Sequence, residues 1–101
     1  AIMMLGEKIP AADAERMGMI YKVFSDETFS ENAINIATFL AAMPTKGLAF
    51  TKQILSLSFT NNLEQQLEQE DIFQQKAALT EDYREGVKAF LEKRKPGFKG
   101  L

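Results

Sequence analysis

Three side chains that carry much of protein chemistry are missing from this 101-residue chain, which has no cysteine, no histidine and no tryptophan. Without cysteine there is no disulfide, and the chain is compatible with any redox compartment. Without histidine and cysteine, Ser-His and Cys-His nucleophilic arrangements are excluded within it, as are the usual ligands of zinc, so no metal site is expected. The six glycines stand singly between Gly6 and Gly100, none at the spacing that cradles a nucleotide. No apolar run approaches the roughly 20 residues needed to cross a bilayer. The opening Ala1 to Leu5 is too short, and lacks the basic start, for a signal peptide. A cytoplasmic protein with no membrane association is expected.

What is present describes one small domain over residues 1–101. The apolar fraction of 46% and the charged fraction of 26% suit a globular protein rather than a disordered or fibrous one. A chain of about 100 residues builds a core only marginally able to support itself, and a partner would help it. The start, on Ala1-Ile2-Met3-Met4-Leu5, reads as an element entered in its middle, which suggests a fragment.

Breakers and periodicity predict four to five helices joined by short turns, an all-α domain. Pro10 stands at a first helical position, and Ala11 to Met17 runs to a stop at Gly18. Met19 to Phe24 has strand propensity for one strand only, with no neighbour to pair with, and is expected to be simply extended. Ser25 and Asp26 offer caps to a helix in which Phe29, Ala33, Ile36, Ala37, Leu40 and Met43 fall at three-to-four spacing, ended by Pro44. Thr45 is expected to cap the next helix, to about Phe59, whose apolar residues spread around the wheel and predict burial on more than one side. Asn62 and Gln65 make a capping-box start for a mostly polar helix through about Ala78, with Leu63, Leu67, Ile72 and Phe73 left to pack. Thr80 caps the last helix, Glu81 and Asp82 suit its positive end, and Pro96-Gly97 is expected to terminate it.

The charge is unevenly placed although the net value is only −2. Leu63 to Gly86 holds seven acids against Lys76 and Arg84, a balance of −5, whereas from Val87 onward five bases face only Glu92, a balance of +4. Read alone, the basic run complements the dipole of a helix end and keeps it solvated. Aromatic residues interleaved with bases are missing beyond Phe98, so no nucleic-acid partner is expected. Carboxylates are the only acid/base groups left. Asp82 and Glu85 lie one turn apart, as do Glu81 and Glu85, and read as a solvated helix face rather than a catalytic pair. No residue of this chain is expected to be catalytic.

The most specific string lies at the end: Thr80-Glu81-Asp82, Arg84-Glu85-Gly86-Val87, Ala89-Phe90-Leu91-Glu92-Lys93-Arg94, then Pro96, Phe98 and Gly100. It resembles the C-terminal end of the enoyl-CoA hydratase/isomerase, or crotonase, family. Leu5 to Ile20 is similar to an earlier stretch of that family, and Phe50-Thr51-Lys52 to its mid-domain Thr-Lys step, so the resemblance covers essentially the whole chain in order. Within the family, the acidic-glutamine helix and the two ends of the last helix look most like the ring-epoxide and enoyl isomerases of phenylacetate degradation and their hydratase relatives.

The resemblance implies a C-terminal helical domain without its βα spiral core. In such enzymes two backbone N–H groups of the core hold the thioester carbonyl and core carboxylates move protons. It implies that the parent isomerises or hydrates unsaturated acyl-CoA thioesters, in fatty acid or phenylacetate degradation, with no cofactor beyond the CoA substrate. The chain alone would be inactive. Its implied partners are the core of the parent protein, other copies in a trimer or hexamer, and acyl-CoA, whose site it would help close. By motif, Lys93 is the implied contact for the phosphates of CoA and Phe73 the nearest candidate for its adenine, with ordinary packing an equal reading of Phe73. The alternative is a free-standing helical interaction module without catalytic activity.

Overall fold

Six helices and no strand make up the regular structure of a computed structural model that describes residues 1–101. They are α1 (Ile2–Leu5), α2 (Ala11–Arg16), α3 (Asp26–Ala41), α4 (Thr45–Leu57), α5 (Leu63–Ala78) and α6 (Glu81–Leu91). The all-α expectation holds, with one short helix, α1, added at the apolar start. No single helix is long and apolar enough to cross a membrane. The chain divides into two units, Ala1–Asn35 and Ile36–Leu101, at a boundary inside α3.

In the first unit α2 closes with a left-handed Gly18 (φ 76) whose N–H reaches Glu15 O at 3.0 Å, while Met19 N–H reaches Ala14 O at 2.9 Å. The segment after it forms no strand. Glu15 holds it instead, accepting from Lys22 Nζ at 2.7 Å and from Val23 N–H at 2.8 Å. Those two donors keep the Glu15 carboxyl below its usual range, and the same pairing raises Lys22. α3 then starts behind Ser25, whose carbonyl accepts from Thr28 N–H at 3.1 Å.

In the second unit α4 packs on α5 and α5 on α6. One stripe of α4, Gly47, Phe50 and Ile54, is half-buried, while Leu48 and Leu55 on its other side are exposed, so burial on more than one side does not occur within this chain. Thr45 is the first residue of α4 rather than its cap; Pro44 holds the cap position, its carbonyl accepting from Leu48 N–H at 3.1 Å, and has no side-chain oxygen to offer. α5 begins with the expected capping box, Gln65 N–H to Asn62 Oδ1 at 2.9 Å and Asn62 N–H to Gln65 Oε1 at 3.0 Å. Of its four apolar residues Ile72 and Phe73 are half-buried, whereas Leu63 and Leu67 are exposed.

The interior is nearly absent. Ala89 is the only apolar residue that is buried, and Asp82, 3% exposed, is the only buried polar one. Twenty-four large apolar side chains are exposed, among them Phe29, Phe39, Phe59 and Phe90.

Candidate functional site

The turn and tail that follow α6 hold the side-chain hydrogen bonds of the second unit that reach furthest along the chain. Thr80 caps the helix as expected, its Oγ1 accepting from Tyr83 N–H at 3.1 Å. The helix stops at Leu91, five residues before Pro96, so the proline is not what ends it. The stop is a turn in which Lys93 N–H reaches Phe90 O at 3.2 Å and Arg94 N–H reaches Ala89 O at 3.0 Å. This crossed pair of bonds is the Schellman arrangement, and it requires a left-handed residue between them. Lys93 fills that position with φ 53.

Beyond the turn the tail runs back along α6, held by two of its acids. Glu85 receives Arg94 in a fork, Nη1 at 2.6 Å and Nη2 at 2.9 Å, and also accepts Gly97 N–H at 2.8 Å. Arg94 Nε donates to Glu92 at 2.6 Å. One turn earlier, Asp82 accepts Lys99 N–H at 2.7 Å and Gly100 N–H at 2.8 Å, and the carbonyl of Leu101 accepts Asp82 N–H at 3.2 Å. The expectation of a solvated acidic face is therefore corrected. Asp82 is buried and Glu85 is spent on the tail, because their three-residue spacing points both carboxylates at the returning strand of chain. The Arg94 fork and the Gly97 N–H lower the Glu85 carboxyl to about 2, and the two acids raise Arg94.

The sequence assigned the basic run to the last turn of a helix, but only Lys88 lies there. Lys93, Arg94 and Lys95 follow the helix. Of the five bases from Val87 onward, only Arg94 is in an ion pair; Lys88, Lys93, Lys95 and Lys99 have no acidic partner. Lys93 is exposed.

Phe73 sits elsewhere, on the face of α5 toward α4. Its ring centroid is 5.7 Å from that of Phe50 at a 55° tilt, and Lys76 Nζ lies 4.8 Å over its face. No hydrogen bond, ion pair or ring contact joins Phe73 to Lys93. A concavity of about 440 Å³ opens between the start of α4, the end of α5 and α6, lined by apolar groups of Pro44, Val87, Phe90 and Phe98 among others. Sequence reasoning missed the tail clamp. Its one legible signal was the placement of two acids on the α6 face ahead of a basic, glycine-containing tail.

Comparison with known proteins then gives a consistent result. The family model for enoyl-CoA hydratase/isomerase matches residues 1–101. The chain is 44% identical over 97 residues to the 1,2-epoxyphenylacetyl-CoA isomerase of Escherichia coli K12, covering 96% of this chain and 37% of that protein. It is 38% identical over 95 residues to the 2,3-dehydroadipyl-CoA hydratase of the same organism, covering 94% and 37%. Among solved structures, an enoyl-CoA hydratase from Polaromonas sp. JS666 superposes with a TM-score of 0.87 at 31% identity, covering 95% of this chain and 37% of that one. The form of enoyl-CoA hydratase subunit I from Geobacillus kaustophilus gives 0.90 at 32%, covering 96% and 38%. The chain thus spans little more than a third of the length of these relatives.

Proposed function

Because the chain belongs to the enoyl-CoA hydratase/isomerase family, we propose that it is the C-terminal helical region of a larger enzyme that isomerises or hydrates unsaturated acyl-CoA thioesters. In this reading the region docks on the βα core of its parent, joins copies into a trimer or hexamer, and helps to close the acyl-CoA site. The observation that carries it is the missing interior: twenty-four large apolar side chains exposed against one buried apolar residue. Exposed apolar surface on that scale marks a contact face. The whole protein is placed in the cytoplasm as part of the same reading.

The chain's own contribution is binding and closure rather than proton transfer. It has no histidine, and Asp82 and Glu85 are engaged by the tail. The oxyanion-holding N–H groups and the proton-moving carboxylates belong, on this reading, to the core. Lys93 is assigned to the phosphates of CoA, since it is exposed and unpaired, and a lysine meets phosphate as a mobile point charge. Phe73 is assigned to the neighbourhood of the adenine; Lys76, now over its face, would have to swing aside for a base to stack there.

Turnover of unsaturated acyl-CoA by the whole protein and by the isolated chain tests the division of labour. The whole protein should be active and the isolated chain silent. Activity in the isolated chain would sink the proposal, and a monomeric mass for the whole protein would remove its assembly part.

A further inference from the structure

Two helices of this molecule end in the same crossed pair of hydrogen bonds, and they fill the left-handed position differently. α2 uses Gly18, the residue that accepts this conformation freely. α6 uses Lys93, the only residue other than glycine with a positive φ in the chain. A lysine is a poor choice for that backbone, which directs attention to what its side chain does.

The surroundings answer electrostatically. Glu85 and Glu92 are the acids bound to this turn, and both are taken by Arg94, at 2.6 Å each. The ammonium of Lys93 is left without an acidic partner. The backbone on either side of it is fastened: on the helix side by the crossed bonds, on the tail side by the Glu85 fork, the Gly97 N–H and the two amides held by buried Asp82. A charged side chain is thus both unpaired and carried on a fixed backbone, which lowers the ordering cost of meeting a ligand.

We propose that Glu85 and Asp82 are positioning residues for an anion contact at Lys93: they hold the turn and occupy Arg94, so that Lys93 is presented, unpaired, to the phosphate groups of the CoA carrier. This rests on the assignment of Lys93 made above. Arg94 is the linking element. It keeps Glu85 and Glu92 from turning to Lys93, and its guanidinium matches a carboxylate in a way a lysine cannot.

The experiment measures the dissociation constant of free CoA from the whole protein at low and high salt, for Lys93→Ala, Glu85→Gln, Arg94→Lys and the double variant Glu85→Gln/Lys93→Ala. Lys93→Ala should weaken binding about fivefold and flatten its salt dependence. Glu85→Gln and Arg94→Lys should each weaken it roughly threefold when Lys93 is present. In the Lys93→Ala background Glu85→Gln should add nothing, the mark of action through Lys93 rather than through general loosening. Should Glu85→Gln fail to fold, Arg94→Lys, which keeps the charge and loses the fork, carries the same comparison. Unchanged affinity in Glu85→Gln and Arg94→Lys beside a weakened Lys93→Ala overturns the positioning role and leaves the Lys93 assignment standing. An equal loss from Glu85→Gln in both backgrounds also overturns it. No effect of Lys93→Ala removes the assignment and the inference together.

Discussion

A side chain with a Cβ held in the left-handed region costs about 1–2 kcal/mol, and Lys93 bears that cost at the C′ position of α6. Lys93→Gly is therefore expected to stabilise the whole protein by about 1 kcal/mol, read as a higher melting temperature, whereas Lys93→Ala keeps a Cβ in the same conformation and should give no such gain. A fall in melting temperature for Lys93→Gly would show that the lysine side chain itself contributes to stability. Eight residues earlier, Glu85 makes a pH-dependent statement. Arg94 first, and the Gly97 N–H second, lower its carboxyl from 4.5 to about 2 in the folded chain. A depressed folded value stabilises the ionised form, so the contribution to tail docking is fully present above about pH 4.5 and is lost as pH falls towards 2. The Gly97 amide resonance should follow that lower titration, and in Glu85→Gln it should not titrate there. A Gly97 midpoint near 4.5 in the unmodified protein would show that the fork is absent in solution.

At the scale of the element, the caps were the most legible feature because each needs only two or three neighbouring residues. Asn62 and Gln65 bond as their spacing predicted, and Thr80 caps α6 as expected, accepting from Tyr83 N–H. Asn62→Ala should cost about 1 kcal/mol through the lost N-cap acceptor, measured by denaturant unfolding. Gly86 offers the opposite test. It lies inside α6, where glycine is destabilising by about 1 kcal/mol, and a Cβ there would meet Phe98 Cε1 at 3.5 Å, an ordinary contact. Gly86→Ala should therefore stabilise by up to about that amount, and a loss would mean that Phe98 seats more tightly on the helix than this spacing implies. Gly100 is different: it has φ 73 and Thr45 Oγ1 only 2.5 Å from a built Cβ, so the tail closes on the start of α4. What the sequence did not disclose depends on residues far apart along the chain. Pro96 looked like the helix stop because the hydrogen bonds from the tail to Asp82 and Glu85, 12 to 18 residues apart in sequence, are invisible to periodicity. Met19 to Phe24 forms no strand, as the lack of a neighbour predicts, but the carboxylate that holds the segment, Glu15, is singled out by no pattern. The apolar residues spread around α4 predict burial on more than one side, but this chain covers only the stripe of Gly47, Phe50 and Ile54.

For the molecule as a whole the same point can be put as area. The accessible surface is 8565 Å² for 11.3 kDa, whereas two separate compact bodies divided inside α3 would together be expected to expose only about 6,800 Å². The excess is therefore about 1,700 Å² at least, roughly twice the 800 Å² that one partner gives to a standard interface. An excess of that size points away from a transient contact and toward a permanent one, and it includes aromatic side chains such as Phe59, 89% exposed, and Phe90, 82% exposed. If this surface is covered in the whole protein, removing the rest of the chain must uncover it. The isolated 101 residues should bind an apolar dye such as ANS strongly and self-associate with rising concentration. In the whole protein dye binding should be weak, and amides of α3 and α4 should exchange at least tenfold more slowly than in the isolated chain. A dye-silent monomer with equally protected α3 and α4 amides would mean that the helices pack differently in solution and bury their own apolar faces. That result would favour a free-standing helical module over a region built to be covered by its parent.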